Sequence, residues 1–266
     1  MDEQSMPCAC SIAGSDPSGG AGIQADIKTF AALGVWGLTV ITGITAQYPR
    51  EVSGLWACTP AAVETQIASL LDDYTIGACK TGMLGSPAVI RAIAGCLPDE
   101  IPLVVDPVMI SSSGYRLLPE AGEKDLVRTL IPRAVVVTPN LAEAAVLAGM
   151  PAITSISEMH EAGERILALG PAYVVVKGGH LGSDDAVDLL LGEGKEWVFE
   201  GPRYPYAVHG SGCCYAAALT AFLAREYPVP EACTRAKEFI DRALRSAARS
   251  RSGCAMVQPA WNCHKG

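Results

Sequence analysis

A chain of 266 residues with half its side chains apolar and 18% charged has ample material for a packed core, which excludes a disordered polymer. Its net charge of −8 argues against nucleic acid or an anionic membrane as partner, yet leaves room for a small anion held in a local nest of N–H groups. No run reaches the roughly eighteen apolar residues of a membrane span, and the acidic start Met1-Asp2-Glu3-Gln4 lacks an apolar signal core, so a cytoplasmic protein is expected.

Short apolar runs alternate with amphipathic stretches along the chain. Residues 11–13 read as a first strand, followed by Gly14-Ser15-Asp16-Pro17-Ser18-Gly19-Gly20-Ala21-Gly22 and a helix over 23–33. That glycine-rich segment is not a Walker A loop, because no Gly-Lys-Ser/Thr closes it, and it lacks the spacing of a Rossmann turn. Its small residues let a planar ligand lie close to the backbone. Asp26, within the helix, is either a ligand contact or a solvated surface residue. Further strands are expected at 38–45, 78–81, 103–106, 135–138 and 173–177, nearly all continuously apolar, as in a parallel sheet buried on both faces.

Helix starts are explicit at Thr59-Pro60 and Ser86-Pro87, each an N-cap followed by proline at the first helical position. Val63, Ile67, Leu70 and Leu71 line one face of the first helix, and Val89, Ile90 and Ile93 line the second. Residues 185–191 and 196–200 read as a hairpin through Gly192-Glu193-Gly194-Lys195, forming an antiparallel edge. An apolar helix over 214–223 and a long amphipathic one over 230–248 close the chain. The alternation predicts an α/β, doubly wound, mostly parallel sheet, and with no linker or composition break it predicts a single domain over 1–266. The ten cysteines form no C-x-x-C pair and no zinc-ligand spacing, so they are expected to be reduced.

Ligands of open parallel sheets bind beyond the carboxyl ends of the strands, and several polar groups fall there. Asp106 closes Ile101-Pro102-Leu103-Val104-Val105, Thr138-Pro139-Asn140 with Glu143 follows Val137, and Lys177-Gly178-Gly179-His180 follows Val176. Singly, Asp106 can cap a turn, Asn140 can cap a helix, and Glu143 suits any first helical turn. Together with His209-Gly210-Ser211-Gly212-Cys213 they supply the parts of phosphoryl transfer. Carboxylates suit a hydrated Mg²⁺, a lysine suits phosphate charge, and successive N–H groups at a helix N-terminus suit a phosphoryl group in flight. Cys213 falls in the first turn, where a thiol's pKa is expected to drop; its other reading is a small hydrophobe behind a glycine turn.

These motifs, with Lys80-Thr81-Gly82-Met83-Leu84 and Val105-Asp106-Pro107-Val108-Met109, span almost the whole chain in order. In them the chain resembles the hydroxymethylpyrimidine/phosphomethylpyrimidine kinases of thiamine biosynthesis, members of the ribokinase-like superfamily. The resemblance implies a ribokinase-like three-layer α/β/α fold, ATP with Mg²⁺, a homodimer, and stepwise phosphorylation of a pyrimidine hydroxymethyl group to the diphosphate. It implies that Cys213 deprotonates or orients the substrate hydroxyl, where most sugar-kinase relatives carry an aspartate. The N–H groups of Gly210, Ser211, Gly212 and Cys213 would hold the phosphoryl group. Asp106 and Glu143 would contribute to the metal and water shell, Lys177 would meet nucleotide phosphate, and Lys237 would lie near the nucleotide.

On the substrate side the resemblance points to Gln47, whose amide offers a donor and an acceptor in one plane to an aminopyrimidine edge. Met83 would pack on the ring, Gly14, Ala21 and Val108 would wall the pocket, and Asp26 would be a further contact. Three departures stand out: Ser211 for the usual threonine, Cys214 for a common threonine, and Tyr48-Pro49-Arg50 after Gln47 in place of small polar residues. The last bears on fine specificity. A pyridoxal or pyridoxine kinase is the nearest alternative, with Gln47 against it, and a non-catalytic binding protein on the same fold is the other. The tail 249–266, with Trp261 and Cys263, receives no functional reading.

Overall fold

A computed structural model of the protein describes residues 6–111, 113–179, 181, 185–204 and 206–260; His180, Trp261 and Cys263 lie outside them. Its main sheet is built from β1 (Cys8–Ser15), β2 (Trp36–Tyr48), β3 (Glu51–Ala57), β4 (Ala78–Thr81), β5 (Leu103–Val105), β6 (Val136–Val137), β7 (Tyr173–Lys177), β8 (Asp185–Gly192) and β9 (Lys195–Pro202). The strand order is β3-β2-β1-β4-β5-β6-β7-β8-β9. Strands β2, β1, β4, β5, β6 and β7 run parallel, while β3 at one edge and the β8–β9 pair at the other run antiparallel to their neighbours.

The period-two alternation of the central strands builds the layers. Ala9, Val104, Val136, Tyr173 and Val175 face one core with α1 (Gly22–Ala32), α7 (Ser211–Ala224) and α8 (Val229–Arg245). Cys10, Ile12, Leu103, Val105 and Val137 face the other, with α2 (Pro60–Leu71) and α3 (Pro87–Cys96). Val174, Val176, Leu189 and Leu191 bury α5 (Leu141–Ala148) and α6 (Ile156–Leu167). A short α4 (Glu120–Asp125), continued by one π-helical and one 3-10 turn, leads into β6. The result is a three-layer α/β/α fold of ribokinase-like type. Among the described residues no helix is long and apolar enough to cross a membrane.

The expected caps are present. Thr59 Oγ1 accepts from Ala62 N at 3.2 Å, and Ser86 Oγ accepts from Val89 N at 3.3 Å. Two differences bear on the site. The strand expected over 38–45 extends to Tyr48 and turns into β3, so Gln47 lies within a strand of an antiparallel edge. The tail forms β11 (Ala248–Arg249) and β12 (Ala255–Met256), and β12 pairs with β10 (Val208–His209), which ends just before the glycine turn of α7.

Candidate active site

Strand order switches direction about β1 and β4, which places the crevice for a ligand outside their carboxyl ends. Two glycine turns meet there. Gly210 has φ of +83°, and a Cβ on it would run into the Gly20 carbonyl oxygen. Gly22 has φ of +59°, and a Cβ there would run into the Gly14 carbonyl oxygen. Only glycine allows both the left-handed backbone and the close approach. Asp16 ties the first loop together: its carboxylate accepts from Ser18 N and Ala21 N at 2.9 Å each and from Ser18 Oγ at 3.0 Å. His209 Nε2 bonds the same carboxylate at 2.9 Å, joining the loop to the strand before the nest.

Cys213 stands in the first turn of α7. Burial pushes its thiol up to about 11, Lys80 pulls it down, and the carboxylates of Asp26 and Asp106 raise it again. The drop expected from the helix terminus is therefore overturned: desolvation wins, and the group is a thiol at neutral pH. Asp26 also differs from its expected substrate contact. It is fully buried, with its oxygens bonded to Lys80 at 3.0–3.1 Å and to Ser11 Oγ at 2.5 Å.

Asp106, Lys177 and Glu143 converge from three strand ends. Lys177 Nζ lies 3.1 Å from Asp106 Oδ1, and Thr138 Oγ1 donates to the same oxygen at 3.3 Å. A Cβ on Gly212 would stand 3.4 Å from Lys177 Nζ, which places the ammonium against the nest. Glu143 closes a capping box with Asn140, Oε2 accepting from Asn140 N and Asn140 Oδ1 accepting from Glu143 N, each at 2.9 Å. Burial pushes the Glu143 carboxyl up to about 7, with Lys177 pulling it down and Asp106 adding to the rise. Two crowded hard-oxygen donors fit a Mg²⁺ ion, whose charge relieves their repulsion and which keeps most of its own waters. Among the described residues no three such side chains cluster.

On the other side of Lys177 opens a cavity of about 670 Å³, lined by Ser211, Gly212, Tyr215, Lys237, Tyr204 and Asn140 among others. Lys237 Nζ bonds Asp188 Oδ2 at 2.8 Å, and Asp188 Oδ1 accepts from Gly178 N at 3.0 Å. The cavity thus runs from the nest to a second, ion-paired lysine, and its volume lies within the range of small-molecule sites.

A sequence profile of the family described as phosphomethylpyrimidine kinase matches residues 16–258. The chain belongs to that family. Within the ribokinase-like superfamily it is similar to the hydroxymethylpyrimidine/phosphomethylpyrimidine kinase of Streptomyces coelicolor, at 40% identity over 96% of this chain and 95% of that one. Among solved structures, the ADP complex of Bacillus subtilis pyridoxal kinase matches with a TM-score of 0.89 and 36% identity, over 97% of this chain and 99% of that one. Phosphomethylpyrimidine kinase from Clostridium difficile 630 matches with a TM-score of 0.77 and 41% identity, over 88% and 97%. As a member of this kinase family the protein is a phosphotransferase acting on a vitamin precursor of the pyrimidine or pyridoxal type.

In this kinase the remaining expected substrate residues take the following places. Met83 is 8% exposed, and its thioether end fills the space beside Gly14 and Gly43. Ala21 precedes α1, and the Val108 N–H closes a tight turn onto the Asp106 carbonyl at 2.8 Å. Gln47 lies with its amide between Thr45 Oγ1 at 3.2 Å and His209 Nε2 at 3.4 Å. Asp16, Thr45, Lys80 and Asp188 join the site here without a local sequence signal for a role. His209 joins it with one signal: among only four histidines, it directly precedes the nest.

Proposed function

We propose that this kinase phosphorylates the hydroxymethyl group of 4-amino-5-hydroxymethyl-2-methylpyrimidine with ATP, and then phosphorylates the monophosphate to the diphosphate, in thiamine biosynthesis. Gln47 carries the reading. Its amide stands beside the glycine loop with a donor and an acceptor in one plane, matching the amino group and adjacent ring nitrogen of an aminopyrimidine. The pyridine ring of pyridoxal has no equivalent edge.

In the reaction the hydroxyl oxygen bonds to the γ-phosphorus while the bond to the β,γ-bridging oxygen breaks, releasing ADP. Such transfers pass through a loose transition state, so catalysis is mostly positioning and charge stabilisation. The N–H groups of Gly210, Ser211, Gly212 and Cys213 provide a nest for the transferring oxygens. Lys177, between that nest and Asp106, brings positive charge to the phosphates, and Lys237 serves the nucleotide end of the cavity. Asp106 and Glu143 would hold Mg²⁺ through its waters; when bound, the ion neutralises phosphate charge. Cys213, a thiol at neutral pH, orients the substrate hydroxyl rather than stripping its proton beforehand. That proton passes to solvent water once the new P–O bond has made the oxygen acidic.

Phosphorylation of pyridoxal or pyridoxine is the second reading, favoured by the likeness to the Bacillus subtilis pyridoxal kinase. Calorimetric binding of hydroxymethylpyrimidine to Gln47→Met separates the two. The expected loss is about 1–3 kcal/mol, the scale of unmade buried hydrogen bonds. Equal affinity in the two proteins removes Gln47 as the reader of the ring.

A further inference from the structure

His209 is 8% exposed at the end of β10, and the Val257 N–H donates to its carbonyl at 3.0 Å. A Cβ on Gly20 would stand 2.6 Å from His209 Cδ2, so the glycine loop makes the room in which the imidazole lies. Nε2 points at two neighbours, Asp16 Oδ2 at 2.9 Å and the Gln47 amide nitrogen at 3.4 Å, while Nδ1 is buried without a hydrogen-bond partner.

These contacts constrain the amide. Burial raises the Asp16 carboxyl, but bonds from His209 and Ser18 outweigh it and hold the group below its ordinary value. Asp16 is therefore an acceptor at neutral pH, and the single Nε2 proton is directed to it. A nitrogen so committed accepts nothing from the amide N–H. Thr45 shows the converse mismatch: its one hydroxyl proton goes to Ser15 O at 2.9 Å, so it offers lone pairs toward the amide oxygen at 3.2 Å. A half-turn of the amide removes both conflicts. The nitrogen then donates to Thr45 Oγ1, and the oxygen shares the His209 N–H with Asp16.

We propose that His209 is the positioning residue for ring recognition: anchored by Asp16, it holds the Gln47 amide with its oxygen toward the imidazole and its nitrogen toward Thr45, fixing the order of acceptor and donor shown to the substrate. This rests on Gln47 reading the ring. It gives the histidine before the nest a role in selectivity, and it links the ring site to the phosphoryl site through adjacent residues.

The test is the ratio of kcat/KM for hydroxymethylpyrimidine to that for pyridoxal, in wild type and in Gln47→Ala, His209→Leu, His209→Gln and Gln47→Ala/His209→Leu. His209→Leu is expected to lower the ratio about tenfold, the scale of one misdirected hydrogen bond, mainly through KM for the pyrimidine. His209→Gln, whose amide N–H can reach Asp16, is expected to restore most of it. With Gln47 already replaced, His209→Leu should change the ratio by less than about twofold. His209→Asn, too short to span Asp16 and Gln47, gives the same comparison where the leucine protein is not recovered folded. An equal loss for both substrates, or the same fall without Gln47, overturns the proposal and leaves Gln47 as reader. A ratio unmoved by Gln47→Ala overturns the reading of Gln47 itself.

Discussion

Lys80 Nζ lies 3.0 Å from Asp26 Oδ2, and neither side chain has any exposure. The pair joins β4 to α1, and its charges act on the Cys213 thiol from opposite directions. A lysine buried this deeply would ordinarily lose its proton, yet Asp26, Cys213 and Asp106 hold its pKa above the usual value.

Removing one partner leaves the other charged and dry. Lys80→Met should cost about 3–5 kcal/mol of stability, and Lys80→Met/Asp26→Leu should recover much of it, because a buried ion pair gives little net stability over apolar replacements. Urea unfolding measures both. A single variant as stable as wild type would mean that water or another group compensates the unpaired buried charge.

Thiol reactivity tests the electrostatics of the nest. With its pKa raised to about 11, Cys213 should be alkylated slowly at neutral pH, and about tenfold faster for each unit of pH up to that value. Among the cysteines of the described residues Cys254 should react first, because Arg50 Nε at 3.2 Å and Ser252 hold its thiol below the ordinary range. Site-resolved mass spectrometry against pH follows each cysteine. A Cys213 rate that levels off near neutrality would show a thiolate and restore its role as a pre-formed base.

An orienting thiol and an ionised base respond differently to replacement. Cys213→Ala should lower kcat by about a hundredfold with a smaller change in KM, the scale of a misplaced reacting group. Cys213→Ser, which keeps an O–H at the same place, should retain more activity than the alanine protein. Serine as poor as alanine would argue that sulfur ionisation is required.

Gly210 holds the nest open through its left-handed backbone. Gly210→Ala should destabilise the protein by more than about 1 kcal/mol and abolish most turnover, because the added Cβ meets the Gly20 carbonyl as well as the disfavoured φ. Thermal unfolding and steady-state kinetics read the two effects separately. An alanine protein of full activity would show that the turn can relax without harm.

How much of this was legible in the chain follows from what each residue touches. Strands buried on both faces announce themselves as apolar runs, so 103–106 and 173–177 agree closely with β5 and β7. Asn140 as a helix cap and Glu143 as a first-turn residue are local signals, and the structure joins them in one capping box. Strand β3 was not: Glu51-Val52-Ser53-Gly54-Leu55-Trp56-Ala57 is mostly exposed, interrupted by glycine, and held by pairing with β2 across a register shift after Ala46. Asp26 was equally opaque, since the lysine that neutralises it lies 54 residues away. The Cys213 thiol shows the same limit. Its place in a helix's first turn is local information, whereas its desolvation depends on packing around β1, β4 and α1.

The most direct test of the whole account is mass analysis of products from purified protein with Mg-ATP and either hydroxymethylpyrimidine or pyridoxal. The account predicts a pyrimidine monophosphate followed by the diphosphate, formed in preference to pyridoxal phosphate when both alcohols compete. Pyridoxal phosphate as the sole product would contradict it, leaving the nest and its phosphoryl chemistry in place but assigning the ring site to a pyridine.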